Sequence, residues 1–158
     1  MLSLQSEIDS LCAVSHELLH LGLDGEPIYS DRFRQLNTDV YHRCEHLFGS
    51  HGRTLEEEAS LCIALLTGYN ATIYNDGDKE LKKQVILDRI YNVLEELPDS
   101  LLKVRLLSYT YGEVYEEFML QEAHAIIDSW NKEIFTIEQM EVMKDLKNIE
   151  DNPYPFEE

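Results

Sequence analysis

Residues 59–75 read Ala-Ser-Leu-Cys-Ile-Ala-Leu-Leu-Thr-Gly-Tyr-Asn-Ala-Thr-Ile-Tyr-Asn and contain no charged side chain. This is the longest uncharged run in the sequence. A membrane-spanning helix needs about 20 predominantly apolar residues. The run is shorter than that and includes Asn70 and two threonines. It therefore predicts a helix buried inside a folded protein.

A second stretch, residues 102–115, resembles residues 61–74 at an offset of 41 residues. Leu65-Leu66 corresponds to Leu106-Leu107, and Tyr74 corresponds to Tyr115. Such spacing is typical of stacked helical hairpins, although stable solenoids usually need at least three copies. Two buried helices that are alike by coincidence explain the similarity equally well.

Helical periodicity continues through the rest of the chain, and no segment alternates as a half-buried strand does. Helix starts are predicted at Ser30 and at two capping boxes, Thr54 with Glu57 and Thr136 with Gln139. Helix ends are predicted at Gly22, Gly49 and Pro98. A further helical stretch, from Ser100 to Trp130, is predicted to break near Gly112. We predict an all-α fold, a single domain of about six or seven helices packed as antiparallel hairpins in a bundle or a short repeat-like stack.

The predicted domain covers residues 1–149, and residues 150–158 form a separate tail. The tail reads Glu-Asp-Asn-Pro-Tyr-Pro-Phe-Glu-Glu, which is both acidic and aromatic. Its two prolines each lack a backbone N–H and disfavour helix in the preceding residue. We therefore predict an extended tail.

The composition excludes several classes of partner. Among 158 residues, 31 are acidic and 13 are Lys or Arg, which gives a formal net charge of −18. Such a surface repels phosphate backbones and anionic lipid, so we predict no direct nucleic-acid or membrane binding. The start of the chain does not resemble a signal peptide, and the three cysteines are interpreted as reduced core thiols. Both observations predict a cytoplasmic protein.

The segment His16-Glu17-Leu-Leu-His20 matches a two-histidine zinc motif and leaves a zinc-dependent hydrolase as an alternative. A helix turns about 100° per residue, which places both histidines more than 100° from the apolar stripe of the segment. They therefore point to solvent or to a flank instead of into a cleft. Only fifteen residues precede the motif, too few for the substrate-binding sheet usual in such peptidases.

A second histidine pair, His42 and His46, also lies opposite the apolar stripe of its helix. Joining the two pairs into a metal site would require the polar faces of two helices to meet. Cys12, four residues before His16, is only a weak hint of a nucleophile. We therefore predict no enzyme activity, no metal and no cofactor.

Aromatic side chains mark the candidate partner-binding residues. Tyrosines crowd the two similar stretches, and rings with polar tips suit interfaces, although tyrosines at helical spacing also border cores. The tail adds an aromatic pair. The predicted partner-binding residues are Tyr69, Tyr74, Tyr111, Glu113, Tyr115, Tyr154 and Phe156.

Blocks spread over nearly the whole chain resemble the UpxZ family. They are Leu21-Gly-Leu-Asp-Gly-Glu-Pro-Ile-Tyr-Ser-Asp31, Glu56-Glu-Glu-Ala-Ser-Leu-Cys62, Gly68-Tyr-Asn-Ala-Thr-Ile-Tyr74, Leu97-Pro-Asp-Ser-Leu-Leu-Lys-Val-Arg105, Tyr111-Gly-Glu-Val-Tyr115, Glu122-Ala-His-Ala-Ile-Ile-Asp-Ser-Trp130 and Asn152-Pro-Tyr-Pro-Phe156. The resemblance implies a small cytoplasmic antagonist of transcription antitermination from a bacterial capsular polysaccharide locus. Its implied partner is a NusG-like antiterminator of the UpxY type from another capsule locus, with RNA polymerase involved only indirectly.

The residues are compatible with this implied role. An antagonist of a protein that works beside polymerase needs a binding surface, and charge on that surface accelerates encounter while an apolar centre sets affinity. A helical adaptor with an unrelated partner stays open as a further alternative.

Overall fold

The computed structural model describes residues 3–23, 30–73, 78–130 and 133–151. Every regular element in these ranges is a helix, which confirms the all-α prediction. The helices are α1 (Leu4–Leu23), α2 (Asp31–Phe48), α3 (Leu55–Ala71), α4 (Lys79–Glu96), α5 (Leu101–Val114), α6 (Glu117–Asp128) and α7 (Ile137–Asp151). None of them is both long and apolar enough to span a bilayer.

The chain divides into two compact units, Met1–Val93 and Leu94–Glu158. In the first unit, α1, α2 and α3 all pack against one another. In the second unit, α5 packs against both α6 and α7. The assignment of residues 1–149 to one domain stays a prediction.

The uncharged run forms the central helix of the first unit. Every side chain of α3 from Leu61 to Tyr69 is buried. Gly68 lies where α3 meets both neighbours, since a Cβ atom placed there would approach Cys44 Sγ of α2 to 2.4 Å and Leu11 Cδ1 of α1 to 3.2 Å. The close approach of three helices therefore depends on the missing side chain.

The similar stretch, residues 102–115, supplies the central helix of the second unit. Seven residues of α5 are buried, among them the polar side chains of Lys103, Ser108 and Thr110. The two hydroxyls donate to the carbonyls of Val104 and Leu106, at 2.8 and 2.7 Å, which satisfies them within the helix. Both similar stretches therefore form helices that are buried on several sides, as either explanation of their resemblance predicts.

Caps define several helix starts as predicted. Ser30 Oγ accepts from the backbone N–H of Phe33 at 3.2 Å. Thr136 and Gln139 form a complete capping box, with Gln139 N–H donating to Thr136 Oγ1 and Thr136 N–H donating to Gln139 Oε1. Thr54 also caps α3, but the Glu57 carboxylate accepts from Arg53 N–H instead of from Thr54 N–H. The carboxylate half of that capping box therefore binds the residue before the N-cap.

Three predicted boundaries differ from the structure. Helix α1 passes Gly22 and ends at Leu23, because glycine weakens a helix without being unable to join it. The break after α5 falls at Tyr115 instead of Gly112. Helix α7 includes Glu150 and Asp151, since the restriction imposed by Pro153 acts directly on Asn152 alone. The remaining tail residues lie outside the described part of the chain.

An ion pair joins α4 to α3 and to the connection between α2 and α3. Arg89 donates to both carboxylate oxygens of Glu58 at 2.9 Å and to the carbonyls of Phe48 at 3.2 Å and Ser50 at 2.8 Å. Gly52 N–H donates to Glu58 Oε1 at 2.8 Å. The Arg89 and Glu58 side chains are only 11% and 15% exposed, so these bonds are well shielded from water.

The ion pair predicts a loss of stability in acid. Burial alone raises the pKa of Glu58, but the bonds from Arg89 and Gly52, with the charges of Arg89 and His51, more than offset it and hold the pKa below 4.5. A lowered pKa contributes stability that is complete above the ordinary value and is lost as pH falls through the folded-state value. We expect urea unfolding to show that the advantage of the natural chain over Glu58→Gln shrinks below about pH 4.5. An advantage that does not change with pH would contradict this account.

Candidate partner-binding surface

The turn between α5 and α6 is held in an unusual backbone conformation. Tyr115 caps α5 with φ 56° and ψ 33°, in the left-handed region, and its N–H donates to Tyr111 O at 2.9 Å. Among the described non-glycine residues, it alone has a positive φ. This conformation costs a residue with a side chain roughly 1–2 kcal/mol and usually selects glycine. A tyrosine in this conformation points to a use for its side chain.

Two aromatic rings are exposed beside this turn. Tyr115 is 36% exposed, and Phe118, in the first turn of α6, is 46% exposed. The ring of Tyr115 packs edge-on against the buried ring of Tyr111, with centroids 5.8 Å apart and planes at 80°. The buried ring of Tyr111 therefore holds the exposed ring of Tyr115 in one orientation, as expected for a preorganised contact residue.

The sequence around these rings is anionic. Between Arg105 and Lys132 there are five acidic residues and no Lys or Arg. Three of the acidic residues, Glu113, Glu116 and Glu117, surround Tyr115 in the sequence. This part of the second unit therefore presents negative charge next to exposed aromatic area.

A groove of about 610 Å³ runs along α6. Its apolar lining comes from Tyr111, Leu120 and Ala125. The polar lining consists of Glu117, Gln121, His124, Asp128 and Glu150. Three of these side chains are carboxylates, and no Lys or Arg is among the lining residues that the structure describes. We call this the α6 groove.

The contact between His124 and Glu150 joins α6 to α7 at one wall of the α6 groove. The same two residues also border a smaller groove of about 270 Å³, lined further by Ile127, Met143, Leu146, Lys147 and Asp151. The two grooves therefore share a wall, and the smaller one differs in having a lysine.

The structure places the predicted partner-binding residues in three settings. Tyr111, Glu113 and Tyr115 come together at the α5–α6 turn, with Tyr111 buried and the other two reachable by solvent. Tyr69 is fully buried in α3 and packs edge-on against Phe48, so it supplies core and not surface, which corrects its assignment as a contact residue. Tyr74, Tyr154 and Phe156 lie outside the described residues.

The sequence patterns did not single out the polar stripe of α6. Glu117, Gln121, His124 and Asp128 recur at three or four residues and lie on its exposed face. The spacing was available in the sequence, but Glu150 joins the stripe only through the packing of α7. Phe118 was missed because its exposure depends on the break at Tyr115.

Comparison with known proteins identifies the family. A family model described as "UpxZ family of transcription anti-terminator antagonists" matches residues 8–112. The chain belongs to this family. A crystal structure of the transcription anti-terminator antagonist UpxZ from Bacteroides uniformis is similar to it, with a TM-score of 0.85, 50% identity, and coverage of 99% of this chain and 98% of that one. A search of curated proteins gave no significant match.

UpxZ family members are transcription anti-terminator antagonists, which are regulatory proteins and not enzymes. The two histidine pairs of this member lie on exposed parts of α1 and α2. His16 and His20 are exposed, and Glu17 between them forms an ion pair with Arg32 at 3.0 Å. His46 lies 3.6 Å from Glu7 at the edge of a groove of about 210 Å³ that also includes His42. Within the described ranges, no three His, Cys, Asp or Glu side chains converge as a metal site would require.

The thiols of this UpxZ-family protein are placed as core residues. Burial, with a smaller effect from the neighbouring carboxylates Glu45 and Glu58, raises the pKa of Cys44 and of Cys62 to about 12. Both thiols are therefore protonated near neutral pH. A nucleophilic cysteine would instead have to be a thiolate. Cys12 is half-buried, and none of the three cysteines forms a disulfide in the described structure.

Replacing Tyr115 with glycine should separate folding from binding in this UpxZ-family protein. Glycine relieves the left-handed strain of roughly 1–2 kcal/mol but removes a ring contact worth about 0.5–1.5 kcal/mol. We therefore expect urea unfolding to change by less than about 1 kcal/mol, whereas binding to the protein partner weakens several-fold. A loss of 2 kcal/mol or more would show that Tyr115 serves folding instead.

Proposed function

We propose that this protein is a non-enzymatic antagonist of NusG-like antiterminators of the UpxY type, encoded in other capsular polysaccharide loci. It binds such an antiterminator in the cytoplasm and covers the surface that contacts RNA polymerase or the transcript. RNA polymerase enters only through the antiterminator, and the antagonist itself contacts no nucleic acid.

One observation carries the proposal. The chain matches a solved transcription anti-terminator antagonist at 50% identity over nearly the full length of both proteins. The match extends across both compact units, so the parts that form the α6 groove belong to the aligned region as well.

The electrostatics support binding to a basic protein. A net charge of −18 attracts a positively charged partner and accelerates encounter, and exposed aromatic rings beside the acidic side chains add contact area. Proteins that bind nucleic acid usually present basic faces. An acidic protein is therefore suited to cover such a face and to compete with the transcript for it.

Transcription through a capsule leader tests the function directly. A reporter placed behind the leader would be expressed with its own antiterminator, with and without this protein. We expect read-through to fall when the antiterminator comes from another capsule locus and to persist when it comes from the locus of this protein. Equal read-through in all combinations would contradict the proposal.

Salt dependence tests the electrostatic part of the proposal. Screening lengths fall from about 10 Å at 0.1 M salt to about 3 Å at 1 M, so the association rate should decrease across this range. Surface plasmon resonance with an immobilised antiterminator would measure it. A rate that is independent of salt would leave charge without a role in the encounter.

A further inference from the structure

We propose that the α6 groove is the contact site for a basic segment of the antiterminator, with arginine side chains entering between α6 and α7. This assignment rests on the function proposed above and goes beyond it by naming the surface and the chemistry of its occupant. Three observations support it: the size of the groove, the exposure of two of its carboxylates and its apolar lining.

The size and lining of the groove suit a side chain from a partner. Its volume of about 610 Å³ lies within the range of about 300–1,000 Å³ that is typical of sites that hold a ligand. Tyr111 and Leu120 contribute to its lining although both are nearly buried, which leaves an apolar and an aromatic surface at its base.

Two of its three carboxylates are available for a partner. Glu150 is engaged by His124. Glu117 and Asp128 are exposed, and neither forms a hydrogen bond or an ion pair with another described residue. None of the described lining residues is Lys or Arg, so the lining that the structure describes carries net negative charge.

The lining favours arginine over lysine. A guanidinium group can bind a carboxylate through two parallel bonds and can also stack on an aromatic face, whereas an ammonium group is a compact, strongly hydrated charge. The described lining of the α6 groove combines three carboxylates with one aromatic residue, Tyr111, which is 7% exposed.

The spacing of the carboxylates defines the segment further. Glu117 and Asp128 are the first and last residues of α6, which places them about 16 Å apart along its axis at 1.5 Å per residue. One arginine cannot contact both. The groove therefore fits a segment with two basic side chains, roughly five residues apart if it is extended and about eleven apart if it is helical.

A pair of matched variants tests the assignment. Glu117→Lys with Asp128→Lys reverses two charges in the groove, and Glu141→Lys with Asp145→Lys reverses two exposed charges on α7 outside the lining residues. Each pair changes the net charge from −18 to −14, since every replacement adds two charges. The dissociation constant for a purified NusG-like antiterminator of another capsule locus would be measured by calorimetry at fixed salt.

We expect the groove pair to weaken binding roughly 30-fold or more and the control pair less than about threefold. Asp128→Asn alone, which removes a negative charge from the C-terminal end of α6 and so does not harm the helix, should weaken binding several-fold. This milder change guards against misfolding of the double variant, and circular dichroism would monitor both. In the partner, replacing the contacting arginine with glutamate should restore binding to the charge-reversed groove.

The outcomes separate the two proposals. If the natural chain binds the antiterminator and the groove variants bind as tightly as the control pair, this assignment is wrong and the proposed function stands. If the natural chain does not bind any antiterminator, the proposed function fails and the assignment fails with it.

Discussion

Replacement of Arg89 with alanine is expected to lower the free energy of unfolding by about 3 kcal/mol. Four hydrogen bonds from Arg89 reach Glu58 and the carbonyls of Phe48 and Ser50, so its removal leaves a largely buried carboxylate without its cation. The loss of folding free energy is larger than the net contribution of the ion pair, because Glu58 remains desolvated after Arg89 is removed. Urea unfolding followed by circular dichroism would measure the loss.

Two further variants apportion the effect. Arg89→Lys retains the positive charge but cannot supply two parallel bonds to Glu58 together with two carbonyl bonds, so it should lose about half as much. The double variant Arg89→Met with Glu58→Gln, which removes both charges, should be more stable than Arg89→Ala. A loss below about 1 kcal/mol for Arg89→Ala would show that water solvates this pair more than its exposure indicates.

Replacement of Gly68 with alanine is expected to destabilise the first unit by about 2 kcal/mol. The new Cβ would stand 2.4 Å from Cys44 Sγ, which is fully buried and has little room to move. Alanine favours a helix over glycine by about 1 kcal/mol, so the packing cost must exceed that gain. Thermal unfolding would report the net change.

Gly112 provides a matched control for this prediction. It lies within α5 and has no atom within 4 Å of its expected Cβ position. Gly112→Ala should therefore stabilise the chain by about 0.5–1 kcal/mol. Adding Cys44→Ala to Gly68→Ala should recover stability, because the smaller side chain removes the clash. A double variant as unstable as the sum of the two single variants would contradict the close approach.

Much of the fold follows from patterns within single segments. The uncharged run gave α3 because a helix that is apolar all round can only be buried. Ser30, Thr136 and Gln139 marked helix starts correctly because capping depends on neighbours three residues away. The Arg89–Glu58 ion pair could not be predicted from the sequence, since it joins residues 31 apart in the chain and depends on how the helices pack.

The candidate surface was predicted only in part, for a related reason. Tyr111, Glu113 and Tyr115 are close in the sequence, and the resemblance of two stretches drew attention to them. Tyr69 matched the same description but is buried, because the first unit covers α3 on all sides from Leu61 to Tyr69. A local sequence pattern can indicate a candidate aromatic contact residue, whereas the packing of the neighbouring helices determines whether that residue is exposed.

The contacts that stabilise the fold and those proposed for binding lie in different units. Arg89, Glu58 and Gly68 belong to the first unit, and the α6 groove with Tyr115 belongs to the second. Variants in the first unit should therefore reduce antagonism only as far as they reduce the amount of folded protein. Variants in the groove should reduce antagonism at full stability.

The central claim is that this protein acts by occupying a surface of its partner and not by chemical turnover. Titration of the purified protein into a reconstituted transcription reaction with a fixed amount of foreign antiterminator tests it most directly. We expect read-through to fall in proportion to the added protein, to reach its minimum near one equivalent, and to remain constant with time. Complete inhibition by a small fraction of an equivalent, growing as the reaction proceeds, would contradict the account.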